Sequence, residues 1–258
     1  MIMICNVRGN YGVLTVLWLF VCLSSFQHKK IVNQNPCTVK LIFSNTVKEN
    51  KIVFGDSTYT NSFGEKYIIT KLRYYVTNIS LQSVDNSFKE NDSYHLIDES
   101  KAESQVINLS LPGGDYNSVR FLLGVDSLHN VSGAQTDDLD PAKDMFWTWN
   151  TGYVMAKMEG NSPSSPVVNN KFEFHIGGFS GPYNVLKQVQ LDFPGKTFHF
   201  VAGKSYKVII NADINTWWQQ PNDIKISEHP VITTPGQFAR AISDNYANMF
   251  HIEKVSSE

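Results

Sequence analysis

The residues best suited to chemistry are gathered in Met145–Gly160, MFWTWNTGYVMAKMEG. In an extended segment Met145, Trp147 and Trp149 project to one side, and Phe146 and Thr148 to the other. Thioether sulfur is a soft ligand that suits Cu(I), and indole is electron-rich and oxidisable. Met155 and Met158 follow within one more strand. The same large side chains also suit a core strand that fills a β-rich interior, and the residues alone leave both readings open.

Histidines are the other candidate donors. In KFEFHIGG, Phe172, Phe174 and Ile176 share a face, so His175 points the opposite way with Lys171 and Glu173. Gly177-Gly178 after it permits a close backbone approach or a sharp turn. His199, between Phe198 and Phe200, has the same disposition. Each of the two is either a ligand or a solvated strand residue. His28, His95, His129, His175, His199, His229 and His251 are dispersed, so any metal site must be assembled by the fold.

Other chemistries find little support. There is no G-x-S-x-G elbow, H-E-x-x-H pair, Walker loop or C-x-x-C motif, and no nucleophile–base arrangement can be nominated. The acidic loop Asp137–Asp144 lacks the frame of a calcium loop, and Asp140 before Pro141 reads as the cap of a short turn. Trp217-Trp218 suits a sugar-stacking or interface patch, or else a cover over one end of the domain.

The elements that must position these residues read as strands broken by Gly, Pro, Asn, Asp and Ser. Val39, Leu41 and Phe43 alternate, as do Val119, Phe121 and Leu123, and the longest clean alternation runs from Tyr206 to Ile214. In Lys71–Leu81 the phase switches from Leu72, Tyr74 and Val76 to Ile79 and Leu81, which predicts a bulge near Thr77-Asn78. Thr234, Pro235 and Gln237 form a capping-box pattern, predicting an amphipathic helix over Pro235–Phe250. The expected fold is all-β: an antiparallel two-sheet β-sandwich with a C-terminal helix.

Composition sets the outer limits. The chain has 258 residues, of which 42% are hydrophobic and 18% charged, below the roughly 25% of an average domain, which excludes a disordered protein. Its 22 Lys and Arg against 24 Asp and Glu give a net charge of -2, with no electrostatic footprint for nucleic acid. The apolar run Val13–Leu23 is too short to span a bilayer, which takes about 20 residues, and fits a secretory signal. Residues 1–26 are therefore expected to be a signal peptide, 27–37 a mature leader, 38–252 the domain and 253–258 a tail. Export to the periplasm or cell surface follows, with no transmembrane helix in the mature chain. Cys22 invites a lipid anchor, but Leu19, Phe20 and Val21 lack the small residue such processing wants. Removing the signal leaves Cys37 alone, so no internal disulfide forms. Asn78-Ile-Ser80 and Asn130-Val-Ser132 are acceptor sequences in a glycosylating host.

The ordered blocks LDPAKDMFWTWNTGYVMAKMEG and FEFHIGGFSGP resemble the signature of the MbnP-like copper-binding protein family. YHLID (Tyr94–Asp98), FLLGVDSLHNVSG (Phe121–Gly133), ISDNYANMF (Ile242–Phe250) and KYIITKLRYYVTNISL support the match, which spans roughly Val39 to Phe250. The resemblance implies an exported, non-enzymatic β-rich protein that binds copper, carrying a Trp oxidised to kynurenine by a MauG-like di-haem partner. The oxidisable position falls on Trp147 or Trp149, with His175, Met145 and His199 as the candidate metal ligands on this chain. Two departures stand out: Asp144 occupies a position expected to be Gly, and Trp149 stands where related surface proteins carry His. The alternative is a structural or ligand-binding β protein that has lost the metal.

Overall fold

A 17-residue strand, Lys66–Gln82, organises the larger of the sheets. The computed structural model describes residues 35–133, 135–148 and 151–258, without the Thr148 side chain. The expected signal peptide, nearly all of the leader, Cys22 and Trp149 lie outside the described residues. The chain from Gln34 to Glu258 forms one compact unit.

Alternation determines which faces are buried. In Cys37–Val47 the residues Val39, Leu41 and Phe43 are fully buried, as are Val119, Phe121 and Leu123 in Ser118–Leu123. Phe43 meets Phe121 edge-on at 5.9 Å and Tyr74 at 6.4 Å between ring centroids, and Phe250 joins all three. These rings link a five-stranded sheet to a ten-stranded one. The expected phase switch is real: Asn78 has φ 54°, and the register against Ser118–Leu123 shifts between Thr77 and Ser80.

The sheets are not wholly antiparallel. Cys37–Val47 pairs parallel with Ser205–Asp213, aligning Leu41 with Val208 and Phe43 with Ile210. A second parallel pair aligns Phe174 with Ile232. The antiparallel expectation is corrected because a period of two reports the buried face of a strand and carries no information on its direction.

One edge arrangement bears on the site. Tyr94–Asp98 pairs with residues 73–77 of the long strand along one edge. The other edge takes Ser118–Leu123 at residues 76–82 and Gly152–Asn161 at residues 68–74. The chain thus leaves this edge after Leu123, makes an excursion, and returns to the same edge.

The C-terminal part differs from expectation. The helix runs Gln237–Tyr246, and Gly236 before it is extended with φ 173° and makes no side-chain cap. The Thr234 capping box does not form, because an extended residue separates Pro235 from the first helical turn and carries the hydroxyl away from the amides it would cap. Ala239, Ile242, Ser243 and Tyr246 are buried, whereas Phe238 is partly exposed and stacks on His229 with centroids 3.8 Å apart. The stretch expected as a tail belongs to a final strand, Phe250–Ser257, paired with Ser205–Asp213. Trp217 and Trp218 are fully buried, donating to Met249 Sδ and to the Tyr67 hydroxyl, so neither forms a surface patch. Cys37 is buried and free; burial raises its thiol pKa. Among the described residues no helix is long and apolar enough to cross a membrane.

Candidate functional site

The larger sheet has an inner face, carrying Tyr74 and Val76, and an outer face carrying Lys71, Arg73 and Tyr75. The excursion after Leu123 folds over this outer face, where Asp138 accepts the Tyr75 hydroxyl through its carbonyl at 3.0 Å. Within it, Asp140 caps the turn Pro141–Lys143 as expected, its carboxylate accepting from the Ala142 amide at 2.8 Å.

Asp144 then takes the left-handed conformation, φ 58°. That geometry favours Gly and tolerates Asp, which accounts for the departure at this position. The carboxylate also has a task. Lys157 is 2% exposed, and its ammonium donates to both the carbonyl and the carboxylate of Asp144, the latter at 2.9 Å. A buried ammonium is tolerated only with such a partner. Burial works to raise the Asp144 pKa, but Lys157 and then Lys71 outweigh it and hold it below the ordinary value.

Immediately downstream, Met145 is fully buried and its carbonyl accepts from the Val154 amide at 2.9 Å. Phe146–Thr148 pairs with Gly152–Asn161, aligning Phe146 with Tyr153 and Thr148 with Gly152. Trp147 is partly buried, with its ring laid on Gly177. A Cβ at Gly177 would sit 2.5 Å from Trp147 Cζ3, so only Gly admits the indole there. Gly177 and His175 share one face of Lys171–Gly177, about 7 Å apart along the strand. Trp147 and His175 are thereby brought onto one patch of the outer face.

Phe172, Phe174 and Ile176 are fully buried, and His175 points outward as expected. Its Nε2 lies 2.9 Å from Glu159 Oε1. The His175 hydrogen bond, aided by Lys71 and opposed by burial, holds the Glu159 carboxyl down at about 2. Lys71 bridges Glu159 at 3.3 Å and Asp144 at 3.4 Å, so polar contacts run unbroken from the His175–Glu159 hydrogen bond to the residue preceding Met145.

A second cluster escaped the sequence reading. Asp126 caps the short helix Ser127–Val131, and its carboxylate accepts the Tyr94 hydroxyl at 2.5 Å while facing His129 Nδ1 at 3.0 Å. Burial works against ionisation of Asp126, yet hydrogen bonds from Tyr94 and His129 hold its pKa at about 2. The available signal was Asp126 three residues before His129, a capping spacing. Asn130 is 2% exposed, its amide oxygen accepting from the Tyr153 amide at 2.8 Å and its nitrogen donating to Val125 and Asp126 carbonyls. Asn78 donates to Asp126 at 3.3 Å. The side-chain amide nitrogens of Asn78 and Asn130, two of the glycosylation acceptors, are thus engaged in hydrogen bonds within the fold. Gly152 admits this packing because a Cβ would meet Asn130 Oδ1 at 2.2 Å and Phe179 Cδ1 at 3.1 Å. The blocks around Asn130, Trp147 and Phe179, far apart in sequence, therefore converge.

A family model described as MbnP matches residues 36–235, a span that contains all three blocks. The chain belongs to the MbnP family. Among solved structures it is similar to MbnP from Methylosinus trichosporium, with a TM-score of 0.52 and 14% identity. That likeness covers 85% of this chain and 98% of the other, and at such identity it shows a shared fold. No curated protein sequence matches the chain.

Within this MbnP-family fold the other described candidates, His199 and Met145, have different surroundings. His199 lies in a separate two-stranded ribbon, its Nδ1 2.6 Å from Asp115 Oδ1. Met145 faces the core. Among the described residues no group of three or more His, Cys, Asp or Glu residues is arranged to hold a metal ion. The patch offers one imidazole with a carboxylate on one nitrogen, the arrangement typical of a metal-ligating histidine, and one indole beside it. Those residues fit an anchoring ligand and its support; they do not by themselves complete a copper coordination set.

Proposed function

We propose that this MbnP-family protein is an exported, non-enzymatic copper-binding protein, with His175 as its anchoring nitrogen ligand and an oxidisable Trp beside it. The observation that carries this is the seat of Trp147 on Gly177, on the same face as His175. Glu159 holds His175 Nε2 and so fixes the ring, leaving Nδ1 with no hydrogen-bond partner among the described residues. Copper, when bound, would supply a soft redox-active centre. The chain's own residues orient the imidazole, pack the indole, and anchor the segment through Lys157 and Asp144. A MauG-like di-haem protein is the proposed oxidant for conversion of Trp147 or Trp149 to kynurenine.

The test is copper titration of the unmodified protein beside His175→Ala, Trp147→Phe and a His229→Ala control. His175→Ala is expected to weaken binding by about tenfold or more, with His229→Ala unchanged. Peptide mass spectrometry of protein from its native host reports any kynurenine directly. A second reading, a β protein that kept the fold and lost the metal, is favoured by the incomplete set of gathered ligands. Equal binding in all four proteins, with unmodified tryptophans, would establish it.

A further inference from the structure

Arg120 is a charged residue of the outer face whose guanidinium has no hydrogen-bond or ion-pair partner among the described residues. Val119 and Phe121 beside it are fully buried, so its side chain projects outward from Ser118–Leu123. Ser80 stands directly opposite on one neighbouring strand and Gln190 on the other. Its Nε is buried without a hydrogen-bond partner, and no ion pair or side-chain hydrogen bond reaches the guanidinium among the described residues. Asp192, one row along the same face, accepts from Gln190 Nε2 at 2.9 Å instead. Burying a donor without a partner is costly, so the position asks for an acceptor that the fold does not supply.

The space for one is present. A groove of about 490 Å³ lies over Arg120, with Gln82, Asn117, Gln190, Asp192 and Lys196 in its walls. Lys196, at a turn with φ 73°, also makes no ion pair among the described residues. Arg120 and Lys196 against Asp192 leave one net positive charge, and the remaining walls combine neutral amides and hydroxyls with the apolar Val84 and Phe193. A planar fork of donors matches a carboxylate, whereas a phosphate dianion would face the Asp192 charge with too little compensation.

We propose that this groove binds a monoanionic carboxylate ligand, with Arg120 engaging the carboxylate, Lys196 as the second cation and the Gln82 amide meeting polar groups on the rest of the ligand. The inference stands apart from the copper reading. Two sources share this chemistry, a sugar acid and a peptide-like acid.

The test is an NMR titration of the full chain following the Arg120 Nε–H resonance, with D-glucuronate and N-acetylglycine as separate arms and inorganic phosphate at matched ionic strength. At least one carboxylate should move the Arg120 resonance, and whichever does so identifies the source. Affinity should fall about tenfold or more in Arg120→Gln, and less in Arg120→Lys and Lys196→Gln, with melting temperatures close to the unmodified protein. Silence of the resonance with both carboxylates would overturn the proposal, as would unchanged affinity in folded Arg120→Gln. Phosphate binding as tightly as the better carboxylate would overturn the monoanion assignment.

Discussion

Two strands carry a histidine that directly follows a phenylalanine, and the fold treats them differently. In Lys171–Gly177, His175 lies inside a ten-stranded sheet, its side chain 20% exposed, against a Glu159 carboxylate that is itself tied to Lys71. In Phe198–Phe200, His199 lies in a two-stranded ribbon, its side chain 64% exposed, against an equally open Asp115. Both make a short imidazole–carboxylate contact. The difference lies in what covers the face: the excursion between Leu123 and Gly152 roofs the outer face near His175, and the ribbon keeps His199 and Asp115 in solvent. A histidine–carboxylate pair acquires a fixed geometry from its surroundings more than from its own contact.

The strongest way to break this contrast is to remove the anchor of the covered region. Asp144→Ala leaves Lys157 buried without a carboxylate and puts a Cβ-bearing, unassisted residue at positive φ. A loss of about 2–3 kcal/mol is expected in chemical denaturation, less than for a fully buried pair because Asp144 is itself largely exposed. Asp144→Gly, which keeps the backbone conformation, isolates the share due to charge; a full-length loss in Ala and none in Gly would assign the effect to backbone alone.

Gly177→Ala sharpens the comparison at Trp147. The added methyl meets the indole at 2.5 Å and the Tyr153 carbonyl at 2.9 Å, so an overpacking cost of about 1–3 kcal/mol is expected. The check is thermal unfolding together with tryptophan emission; an unchanged spectrum and stability would remove the indole from this seat.

The smallest effects compare the two carboxylates directly. Glu159→Gln should cost about 1 kcal/mol near neutral pH, and Asp115→Asn less than about 0.5 kcal/mol. The Glu159 carboxyl lies at about 2, lowered from 4.5, so its contribution is complete above about pH 4.5 and is lost as pH falls through about 2. The stability gap between the unmodified protein and Glu159→Gln should close over that window. A gap that widens on acidification would contradict the assigned pairing.

Much of this contrast was visible in the sequence only as orientation. Alternation correctly turned Phe172, Phe174 and Ile176 inward and His175 outward, and the broken phase at Thr77-Asn78 marked a real bulge. It could not separate His175 from His199, because the cover over each comes from residues distant in the chain. Direction was equally hidden in the parallel pairing of Cys37–Val47 with Ser205–Asp213. Met145 and Trp147 share a side in an ideal strand, yet the turn at Asp144 sends Met145 into the core before the strand begins. The Tyr94–Asp126–His129 cluster joins two strand ends, and only its capping spacing was local. The family resemblance grouped blocks that periodicity could not, and three of them, around Asn130, Trp147 and Phe179, meet in the fold.

The excursion that carries Asp144 and Trp147 starts and finishes on one edge of Lys66–Gln82, its departing and returning strands paired in succession along that edge. Insertions or deletions within it would leave the pairing register of either foot unaltered. The sheet can therefore act as a fixed socket and the excursion as an exchangeable cartridge. A change in the cartridge would alter what lies over this patch while the socket keeps its pairing.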